Sequence, residues 1–570
     1  MNVLIAGAGI GGLTTALMLH ERGIPCRVFE QSSAVRELGV GINMLPHAVR
    51  ELRDLGLLDG LDATGIRTYE LFYLNRQGQE VWHELRGTDA GHEVPQFSIH
   101  RGSLQRVIYE AVLERLGPES VRTGCRLERF EHTGGGVTAF FRDRAGRDAG
   151  SMEGDVLVAA DGIHSTVRAT FYPDEGPPTW NGAMLWRGAR DWPAYLTGRS
   201  MVIAGGMQGK VVVYPIGAGS TGGRRLTNWA VVGQVGDGTT PPPRREDWSR
   251  EGRWEELEPF VERFDVHQLD VRELIRSTPV FYEYPMCDRD PLPAWSHGRV
   301  TLLGDAAHPM YPVGSNGASQ AILDARSLAD ALASRPVAQA LRDYEAERLP
   351  ATADIVRSNR TGGPEGVIDA VEARAPDGFV DVDAVLPYEE REAIVRGYAR
   401  QAGFAVPQPG ATAAPQGGEG MSETFAAGVT RADAGVDGIS WSILGQTYVP
   451  KHVDEASFTW HATLPPGTFV PPHIHRAQDE FIYMLGGTME LELDGKPDAA
   501  HAGDLIRLPR GVPHGLFNRS DGTVTCVFWV TPTRKLYDLF VGIDAMPEQS
   551  PDAVVALSAQ HEVDFLPPPA

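Results

Sequence analysis

The segment 7–12, Gly-Ala-Gly-Ile-Gly-Gly, constrains the fold of this chain more than any other feature. It follows the apolar run Val3–Ala6, which predicts a strand, and it leads into residues 12–22, which predict a helix. Residues 27–30 predict the next strand, which completes a βαβ unit. A glycine turn between a strand and a helix is typical of dinucleotide-binding folds, in which a diphosphate lies at the helix N-terminus.

The residues of this turn have separate predicted roles. Gly7 permits the tight turn, Gly9 lets the backbone approach a pyrophosphate, and Gly12 lets the helix pack closely on the strand. Glu30 ends the second predicted strand, where its carboxylate can accept hydrogen bonds from an adenosine ribose. A glutamate there disfavours a ribose that carries a 2′-phosphate. The turn by itself does not distinguish NAD from FAD.

Two later turns separate these possibilities. Residues 155–168 predict an apolar strand that ends in Asp-Gly before a helix begins. Residues 300–309 predict another strand that ends in Gly-Asp, and residues 314–321 then open a long helix. Strand-like runs between these turns predict a second lobe of mixed sheet, and residues 205–209 predict a hairpin within it.

Taken in order, the three turns resemble those of the single-component FAD-dependent aromatic monooxygenases, over about residues 1–400. Residues 39–46 and 98–105 are similar to the phenazine-modifying and salicylate-hydroxylase-like members. The resemblance implies a Rossmann-like α/β FAD-binding domain with an inserted mixed β-sheet as substrate lobe, and a helix near residue 317 whose N-terminus stabilises reduced flavin. It implies FAD contacts from Gly7, Gly9, Gly11, Gly12, Glu30, Gln31, Gly41, Arg101, Gln105, Asp161, Asp305, Pro309, Gly314, Asn316, Gly317 and Ala318.

The same resemblance implies the chemistry. NADH or NADPH reduces FAD, O₂ adds to give a C4a-hydroperoxide, and one oxygen atom passes to a small aromatic or heteroaromatic substrate. A base that deprotonates a phenol would help, and His47, His308 and Tyr311 are the candidates. Arg187, beside Trp186, either lines the substrate side or lies on the surface next to a packed tryptophan. A plain oxidase or a halogenase is a less favoured alternative.

A change of composition at residues 404–421 divides the chain. This stretch is rich in proline and glycine, so we expect a linker between residues 1–403, which end in helices from residue 335, and residues 422–570. After the linker, runs such as residues 488–494 alternate between apolar and polar side chains and predict strands. The fold class expected is therefore multidomain, an α/β part followed by an all-β part.

The all-β part carries a second set of chemical residues. His473 and His475 lie two apart on a predicted strand and share one face, while Glu480 and His514 come from neighbouring segments. Three imidazoles and one carboxylate suit Fe(II), Mn, Ni, Cu or Zn. With the glycines that flank them, these residues resemble the cupin superfamily, with a barrel core at about residues 440–545.

The cupin leaves two functions open. It could act on the hydroxylated product as a metal-dependent enzyme, or it could be a non-catalytic module for binding or oligomerisation. Barrels of this kind often pair through their edge strands, so a homodimer through the cupin is a further expectation. The resemblance does not decide between the two functions or identify the metal.

Composition limits the remaining possibilities. The formal net charge of −23 excludes a general binder of the nucleic-acid backbone, which needs a basic surface. No apolar run reaches the roughly 18 residues that a membrane helix needs. The four cysteines lie far apart and form no CxxC pair, which indicates neither a disulfide scaffold nor a cysteine zinc site. We expect a cytoplasmic protein without nucleic-acid or membrane partners.

Overall fold

The computed structural model describes residues 1–34, 40–243, 250–405, 430–431, 434–453, 457–475, 478–544, 546, 549–561 and 563–566. The chain divides into two compact units, Met1–Val406 and Pro407–Ala570. Phe404, the first residue of the predicted linker, is buried beside Tyr398 and Leu45, so the first unit extends beyond residue 403. The rest of the predicted linker, residues 406–421, lies outside the described residues.

The first unit alternates strands and helices, as predicted. Its described strands are β1 Val3–Ala6, β2 Cys26–Phe29, β3 Gly41–Met44, β4 Ile66–Thr68, β5 Glu70–Leu74, β6 Glu80–Leu85, β7 Gln96–His100, β8 Val121–Arg122, β9 Arg126–His132, β10 Val137–Arg142, β11 Asp148–Gly154, β12 Val156–Ala159, β13 Thr179–Pro193, β14 Ser200–Ala204, β15 Gly209–Ala218, β16 Arg224–Gln234, β17 Tyr282–Asp288, β18 Ser296–His297 and β19 Val300–Leu302. Its described α-helices are α1 Ile10–Glu21, α2 Pro46–Asp54, α3 Leu58–Thr64, α4 Arg101–Leu116, α5 Thr166–Phe171, α6 Trp254–Val261, α7 Val271–Arg276, α8 Gly317–Ser334, α9 Val337–Arg360, α10 Gly366–Arg374, α11 Val382–Val385 and α12 Tyr388–Gln401.

A mainly parallel sheet forms the nucleotide half of this unit. Its strand order is β18-β19-β12-β1-β2-β8, and β1 lies between β12 and β2 in parallel register. All four residues of β1 and of β12 are buried, because helices cover a parallel sheet on both faces. The carboxyl ends of β1, β12 and β19 therefore lie side by side, and each is followed by one of the three predicted turns.

A seven-stranded mixed sheet forms the second lobe, in the order β17-β13-β16-β15-β14-β5-β6. Its pairs are antiparallel except β14 with β5, which is parallel. Successive side chains alternate between its faces. One face, which includes Val211 and Trp229, packs under α6 and α7, and the other packs in part against α10 and α12. Strands β14 and β15 form the predicted hairpin around residues 205–208.

The second unit is antiparallel throughout its described strands. These are β20 Trp441–Ile443, β21 Gln446–Val453, β22 Phe458–Leu464, β23 Phe469–His475, β24 Asp479–Gly486, β25 Thr488–Leu493, β26 Lys496–His501, β27 Leu505–Leu508, β28 His514–Phe517, β29 Val524–Thr531 and β30 Val563–Phe565, with helices α13 Leu536–Asp544 and α14 Pro551–Gln560. They form two sheets, β20-β21-β22-β29-β24-β27 and β26-β25-β28-β23-β30. This arrangement confirms the predicted all-β barrel.

Strand β30 corrects the predicted end of the barrel. The barrel core was expected to end near residue 545, but β30 returns to pair with β23, with Val563 opposite His475 and Phe565 opposite His473. Among the described helices, none combines the length and the apolar character that a bilayer crossing needs.

Candidate functional site

The glycine turn after β1 has the geometry that a bound diphosphate requires. Gly7 adopts φ +110°, and a Cβ there would lie 2.2 Å from the Ala160 carbonyl oxygen. A Cβ on Gly12 would lie 2.0 Å from the Gly7 carbonyl oxygen. Gly9 differs, because its Cβ direction is open for 4 Å and the residue lies in the wall of a cavity. Gly7 and Gly12 therefore make the turn possible, and Gly9 leaves room for a ligand.

Two polar side chains stabilise this turn. The Glu30 carboxylate accepts hydrogen bonds from the Ala8 amide at 2.9 Å and from the Ser32 amide at 2.8 Å. The Gln105 side-chain amide donates to the Ala8 carbonyl oxygen at 2.7 Å. Gln31 is exposed beside them. These predicted residues surround the turn but are not part of the cavity wall.

The cavity next to the turn has a volume of about 310 Å³. It extends from the turn to the mixed sheet, so one space connects the glycine turn with the inner face of that sheet. Of the predicted residues, the wall contains Gly9, Gly11, Gly12, Gly41, Arg101, Arg187, Asp305, Tyr311, Asn316, Gly317 and Ala318. Gly7, Asp161, Pro309 and Gly314 lie outside it. Pro312, rather than the predicted Pro309, is the proline in the wall.

The N-terminus of α8 also forms part of the wall. Asn316 precedes the helix, and its side-chain amide donates to the Tyr398 hydroxyl at 2.9 Å. Tyr398 in turn donates to the Asn359 side-chain oxygen at 2.8 Å. This buried chain of hydrogen bonds fixes the loop before α8, so that the N–H groups of its first turn lie beside the cavity. Such an N-terminus favours a negatively charged ligand group.

Asp161 lies behind the cavity, at the end of β12. Its carboxylate accepts a hydrogen bond from the Thr166 amide at 2.8 Å, and burial raises the pKa of Asp161 above its usual value. Its neighbour Gly162 is in the wall. An open glycine, a helix N-terminus and a cavity that runs from the glycine turn to the mixed sheet together fit an elongated ligand with a diphosphate between a nucleoside and a ring system, as in FAD.

The two histidines predicted as bases do not reach this cavity. His47 stacks against Phe404 at 5.7 Å, and burial lowers the pKa of His47 to about 3. His308 is buried with its Nε2 atom 2.5 Å from an Asp324 oxygen. Neither histidine lies in the cavity wall. Their predicted role as bases is therefore corrected: both belong to the interior of the protein.

Asp324 is the centre of a buried polar cluster that the sequence analysis missed. Besides His308, its carboxylate accepts from the Arg348 guanidinium at 2.9 Å and from the Gly304 amide at 3.1 Å. Burial raises the pKa of Asp324, but His308 and Arg348 outweigh it and the net pKa lies below the usual value. The cluster connects α8 and α9 to the turn after β19. A carboxylate on the buried face of a predicted helix was the available signal.

Tyr311 and Arg187 are the predicted catalytic residues that do line the cavity. Burial raises the pKa of Tyr311, with Asp288 adding to the effect, so its hydroxyl keeps its proton at neutral pH. The Arg187 guanidinium donates to the Tyr284 hydroxyl at 2.9 Å and to the Gly41 carbonyl oxygen. Trp186 points to the opposite face and is buried in the core. Both expectations for this pair are therefore partly met: the tryptophan is packed and the arginine faces the cavity.

Alternate residues of the mixed sheet supply the rest of this wall. They are Leu185 and Arg187 on β13, Met201 and Ile203 on β14, Lys210, Val212 and Tyr214 on β15, and Ala230 and Val232 on β16. Most of these side chains are apolar and would bury the faces of an aromatic ring. Arg187 and Lys210 are the charged members of this set, and Lys210 forms a buried ion pair with Glu365. Neither Lys210 nor Glu365 was singled out from the sequence.

The second unit brings all four predicted metal ligands together. One ligand atom from each of His473, His475, Glu480 and His514 lies within 4.8 Å of the others, and all four residues are buried. The Nε2 atoms of His473 and His475 are 3.2 Å apart, and Glu480 Oε2 is 3.0 Å from His514 Nε2. Burial raises the pKa of Glu480, but His475 and His514 outweigh it and lower the pKa below its usual value.

The outer nitrogen of each imidazole has a separate acceptor. Nδ1 lies 2.9 Å from the Pro471 carbonyl oxygen in His473, 2.9 Å from the Val512 carbonyl oxygen in His514, and 3.1 Å from the Gln478 side-chain oxygen in His475. These contacts favour a proton on Nδ1 and leave each Nε2 free to bind a cation, as in known metal sites. The donor set therefore fits a divalent transition metal.

A cavity of about 60 Å³ adjoins these ligands. Its wall contains His473, His475 and Glu480, and its other side chains are mainly apolar or aromatic. Helices α13 and α14 and strand β30 form a large share of this wall. Of these, α14 and β30 follow the predicted barrel core and help to close the cavity around the ligands.

Comparison with known families gives two matches. The model of a family described as FAD binding domain matches residues 1–359, and the model of a family described as Cupin domain matches residues 460–531. The first match includes the glycine turn, and the second includes the four metal ligands.

Similar proteins align with the first unit. Phenazine 1,6-dicarboxylic acid hydroxylase PhzS of Lysobacter antibioticus is 46% identical over 364 residues, which are 63% of this chain and 89% of that protein. The 3-amino-4-hydroxybenzoate 2-monooxygenase PtnB3 of Streptomyces platensis is 34% identical over 64% of this chain and 88% of its own length. The crystal structure of Klebsiella pneumoniae HpxO with FAD and uric acid has a TM-score of 0.54 at 24% identity, and the match covers 71% of this chain and 97% of that one.

Proposed function

Since this chain belongs to the FAD-dependent aromatic monooxygenases, with a cupin domain after the monooxygenase unit, we propose that it hydroxylates a small aromatic or heteroaromatic acid with NADH or NADPH and O₂. One observation carries the proposal: a single cavity joins the nucleotide turn to the inner face of the mixed sheet. Relatives named for phenazine dicarboxylic acid and for an aminohydroxybenzoate support an aromatic acid as substrate.

Bound FAD would supply the redox chemistry, passing electrons from the nicotinamide to O₂ and one oxygen atom to the ring. The residues 7–12 and the N-terminus of α1 would bind its diphosphate. Asn316, Gly317 and Ala318 would hold the flavin end, where the dipole of α8 favours negative charge. The described residues contain one strand–glycine-turn–helix unit of this kind, so the nicotinamide would bind without a Rossmann fold of its own.

The residues of the sheet would hold the substrate. Leu185, Ile203, Val212 and Val232 would cover the ring and exclude water from it. Because its pKa is raised and its hydroxyl is hydrogen-bonded to Asp288, Tyr311 would accept a hydrogen bond from a ring substituent rather than remove a proton. The positive charge of Arg187 would stabilise a phenolate formed on the substrate.

The test uses the purified chain loaded with FAD. NAD(P)H oxidation is measured with phenazine-1,6-dicarboxylate, 3-hydroxybenzoate and 3-amino-4-hydroxybenzoate, and products formed under ¹⁸O₂ are identified by mass spectrometry. We expect one acid to stimulate oxidation and to gain one labelled oxygen atom. A chain that binds no flavin, or that yields only hydrogen peroxide with each acid, would contradict the proposal.

A second function is proposed for the cupin domain. Its four ligands would hold Fe(II), Mn, Ni, Cu or Zn, and the metal centre would act on the hydroxylated product. The observation that favours an aromatic ligand is the set of rings in the adjoining wall, from Tyr448, Trp460, Phe528, Phe540 and Phe565. Covalent linkage of the two units would raise the effective concentration of the intermediate at the second site.

The size of this cavity sets a condition on the second function. A cavity that binds benzene has a volume of roughly 150 Å³, whereas this one has about 60 Å³. An aromatic product would enter only if α13, α14 or β30 moved. The alternative is a cupin that binds a metal but does not act on the product.

Product analysis separates these two possibilities. We expect the variant His473→Ala/His475→Ala to keep substrate-dependent NAD(P)H oxidation and to accumulate the hydroxylated intermediate. His501→Ala, a histidine on the outside of the same domain, is the control. The same end product from wild type and from the double variant would exclude a catalytic cupin.

We also propose that the cupin forms a homodimer. Tyr483 and Leu485 on β24 and Leu505 on the edge strand β27 are 43–47% exposed. A second copy that covers this face would bury them together. Light scattering should give twice the chain mass, and Leu485→Glu/Leu505→Glu should halve it, whereas Val555→Glu on α14 should not. A monomeric wild type would contradict this proposal.

A further inference from the structure

The wall of the large cavity contains a buried ion pair. Lys210 begins the cavity face of β15, Glu365 precedes α10, and each is only 3% exposed. The Lys210 ammonium donates to one oxygen of Glu365, and the Gly314 amide lies 3.4 Å from the other. Taking both charges out of water costs most of the Coulomb energy that they gain by pairing, so the pair adds little to the net stability of the fold. Its position in the cavity needs another explanation.

The bonding capacity of Lys210 is only partly used. An ammonium has three N–H donors, and Glu365 is its acceptor among the described residues. Its neighbours on the same face, Val212 and Val232, offer no acceptor side chain. Two donors of a charged group are therefore available beside apolar side chains, where a charge-assisted hydrogen bond is strong.

The charges of the wall favour an anionic ligand. The wall contains three positively charged side chains, Arg101, Arg187 and Lys210. It contains two negatively charged ones, Asp305 and Glu365, so its net charge is +1. Arg187 is bonded to a hydroxyl and a carbonyl oxygen. From the sheet spacing, the Cα atoms of Lys210 and Arg187 lie about 12 Å apart, because the two residues lie two strands apart with a two-residue offset. Each can thus face a different edge of one ring system.

We propose that Lys210 binds the carboxylate of the aromatic substrate and that Glu365 is the positioning residue that holds Lys210 in the cavity wall. The pair therefore sets the preference of the enzyme for aromatic acids over neutral aromatic molecules of the same shape. This inference rests on the proposed hydroxylase function, because it assigns the contact for the substrate of that reaction. Lys210 contacts the substrate, whereas Glu365 acts through Lys210.

The test measures binding rather than turnover. The full chain loaded with FAD is titrated with phenazine-1-carboxylate and with phenazine-1-carboxamide, and Kd is read from the flavin absorbance. We expect wild type to bind the acid about 10- to 100-fold more tightly than the amide, the range of one charge-assisted hydrogen bond. Equal affinity of wild type for the two probes would overturn the inference.

Variants then assign the preference to the pair. Lys210→Met/Glu365→Gln removes both charges with little change of shape, so the fold is kept and the acid should lose its advantage. Lys210→Arg should retain it. Glu365→Gln alone keeps the ammonium, so the acid should still be preferred, but by a smaller factor because Lys210 is less well held. A double variant that keeps the wild-type preference would overturn the inference.

A matched control lies on the same sheet. Arg224 and Asp191 form an ion pair outside the cavity, with side chains 36% and 35% exposed. Arg224→Met/Asp191→Asn should leave the preference for the acid unchanged. Failure of the hydroxylase function would be seen separately, as unlabelled product under ¹⁸O₂ from a chain that still selects the acid in the binding titration.

Discussion

The cavities of the two units use polar groups in opposite ways. In the first, of about 310 Å³, charged side chains of both signs and the N–H groups of a helix are spread around the wall. In the second, of about 60 Å³, four ligand atoms converge within 4.8 Å and most of the remaining wall is apolar. Dispersed groups suit an extended ligand, whereas convergent groups suit one ion. The second site should therefore fail when one ligand is lost, and the first should weaken in steps.

The largest effect is expected at the metal ligands. His475→Ala should reduce bound metal, measured by elemental analysis, from about one ion per chain to nearly none, since a missing ligand costs more than the 10- to 100-fold of an outer contact. The FAD content should not change. If the variant retained its metal, or lost FAD together with the metal, the contrast drawn above between a convergent metal site and a separate, dispersed FAD site would be wrong.

The next effect is expected at the nucleotide turn. Gly9→Leu places a side chain in space that is open for 4 Å, so FAD affinity should fall about 100-fold, or about 2.7 kcal/mol, while the fold is kept. Fluorescence titration with FAD measures this change. Gly134→Leu, at a glycine that is equally open but lies outside the cavity, is the control. Equal FAD affinity of the two variants would show that Gly9 is not part of the FAD-binding site.

A different kind of effect, on folding stability rather than on binding, is expected in the first unit alone. Asp324→Asn leaves the Arg348 charge buried without its carboxylate, which should cost about 3–5 kcal/mol of unfolding free energy. Calorimetry should then show one transition moved to lower temperature and a second transition unchanged. Asp330→Asn, at a half-buried position of the same helix whose side chain is 46% exposed, should move neither by much. Equal shifts of both transitions would mean that the two units unfold together.

The smallest effect is expected at Tyr311. Tyr311→Phe removes one hydrogen-bonding hydroxyl from the cavity wall, so kcat/KM should fall by about tenfold at most. Because burial raises the pKa of Tyr311, its hydroxyl is protonated across pH 6–9, and the pH profile of kcat/KM should keep its shape. A limb that disappears from the profile of the variant would instead identify Tyr311 as a titrating base.

The sequence predicts well what lies close together along the chain. His473 and His475 share a strand face, and the glycine turn connects neighbouring elements, so both could be identified from spacing alone. Lys210 and Glu365 are 155 positions apart, and a lone lysine in an apolar strand gives no sign of its partner. The histidines 47 and 308 were misassigned for the same reason, because only the packing of α2, α8 and α9 places them in the interior. Strand β30 has only three residues, too few for a pattern.

The alternation along the mixed sheet has a consequence for directed evolution. Positions 185, 203, 212 and 232 face the cavity, whereas their neighbours in sequence face the core under α6 and α7. A mutant library restricted to every second residue could thus vary the shape of the pocket without disturbing the packing behind it. An insertion of one residue in β15 would exchange the two faces, so length changes should be kept out of such a library.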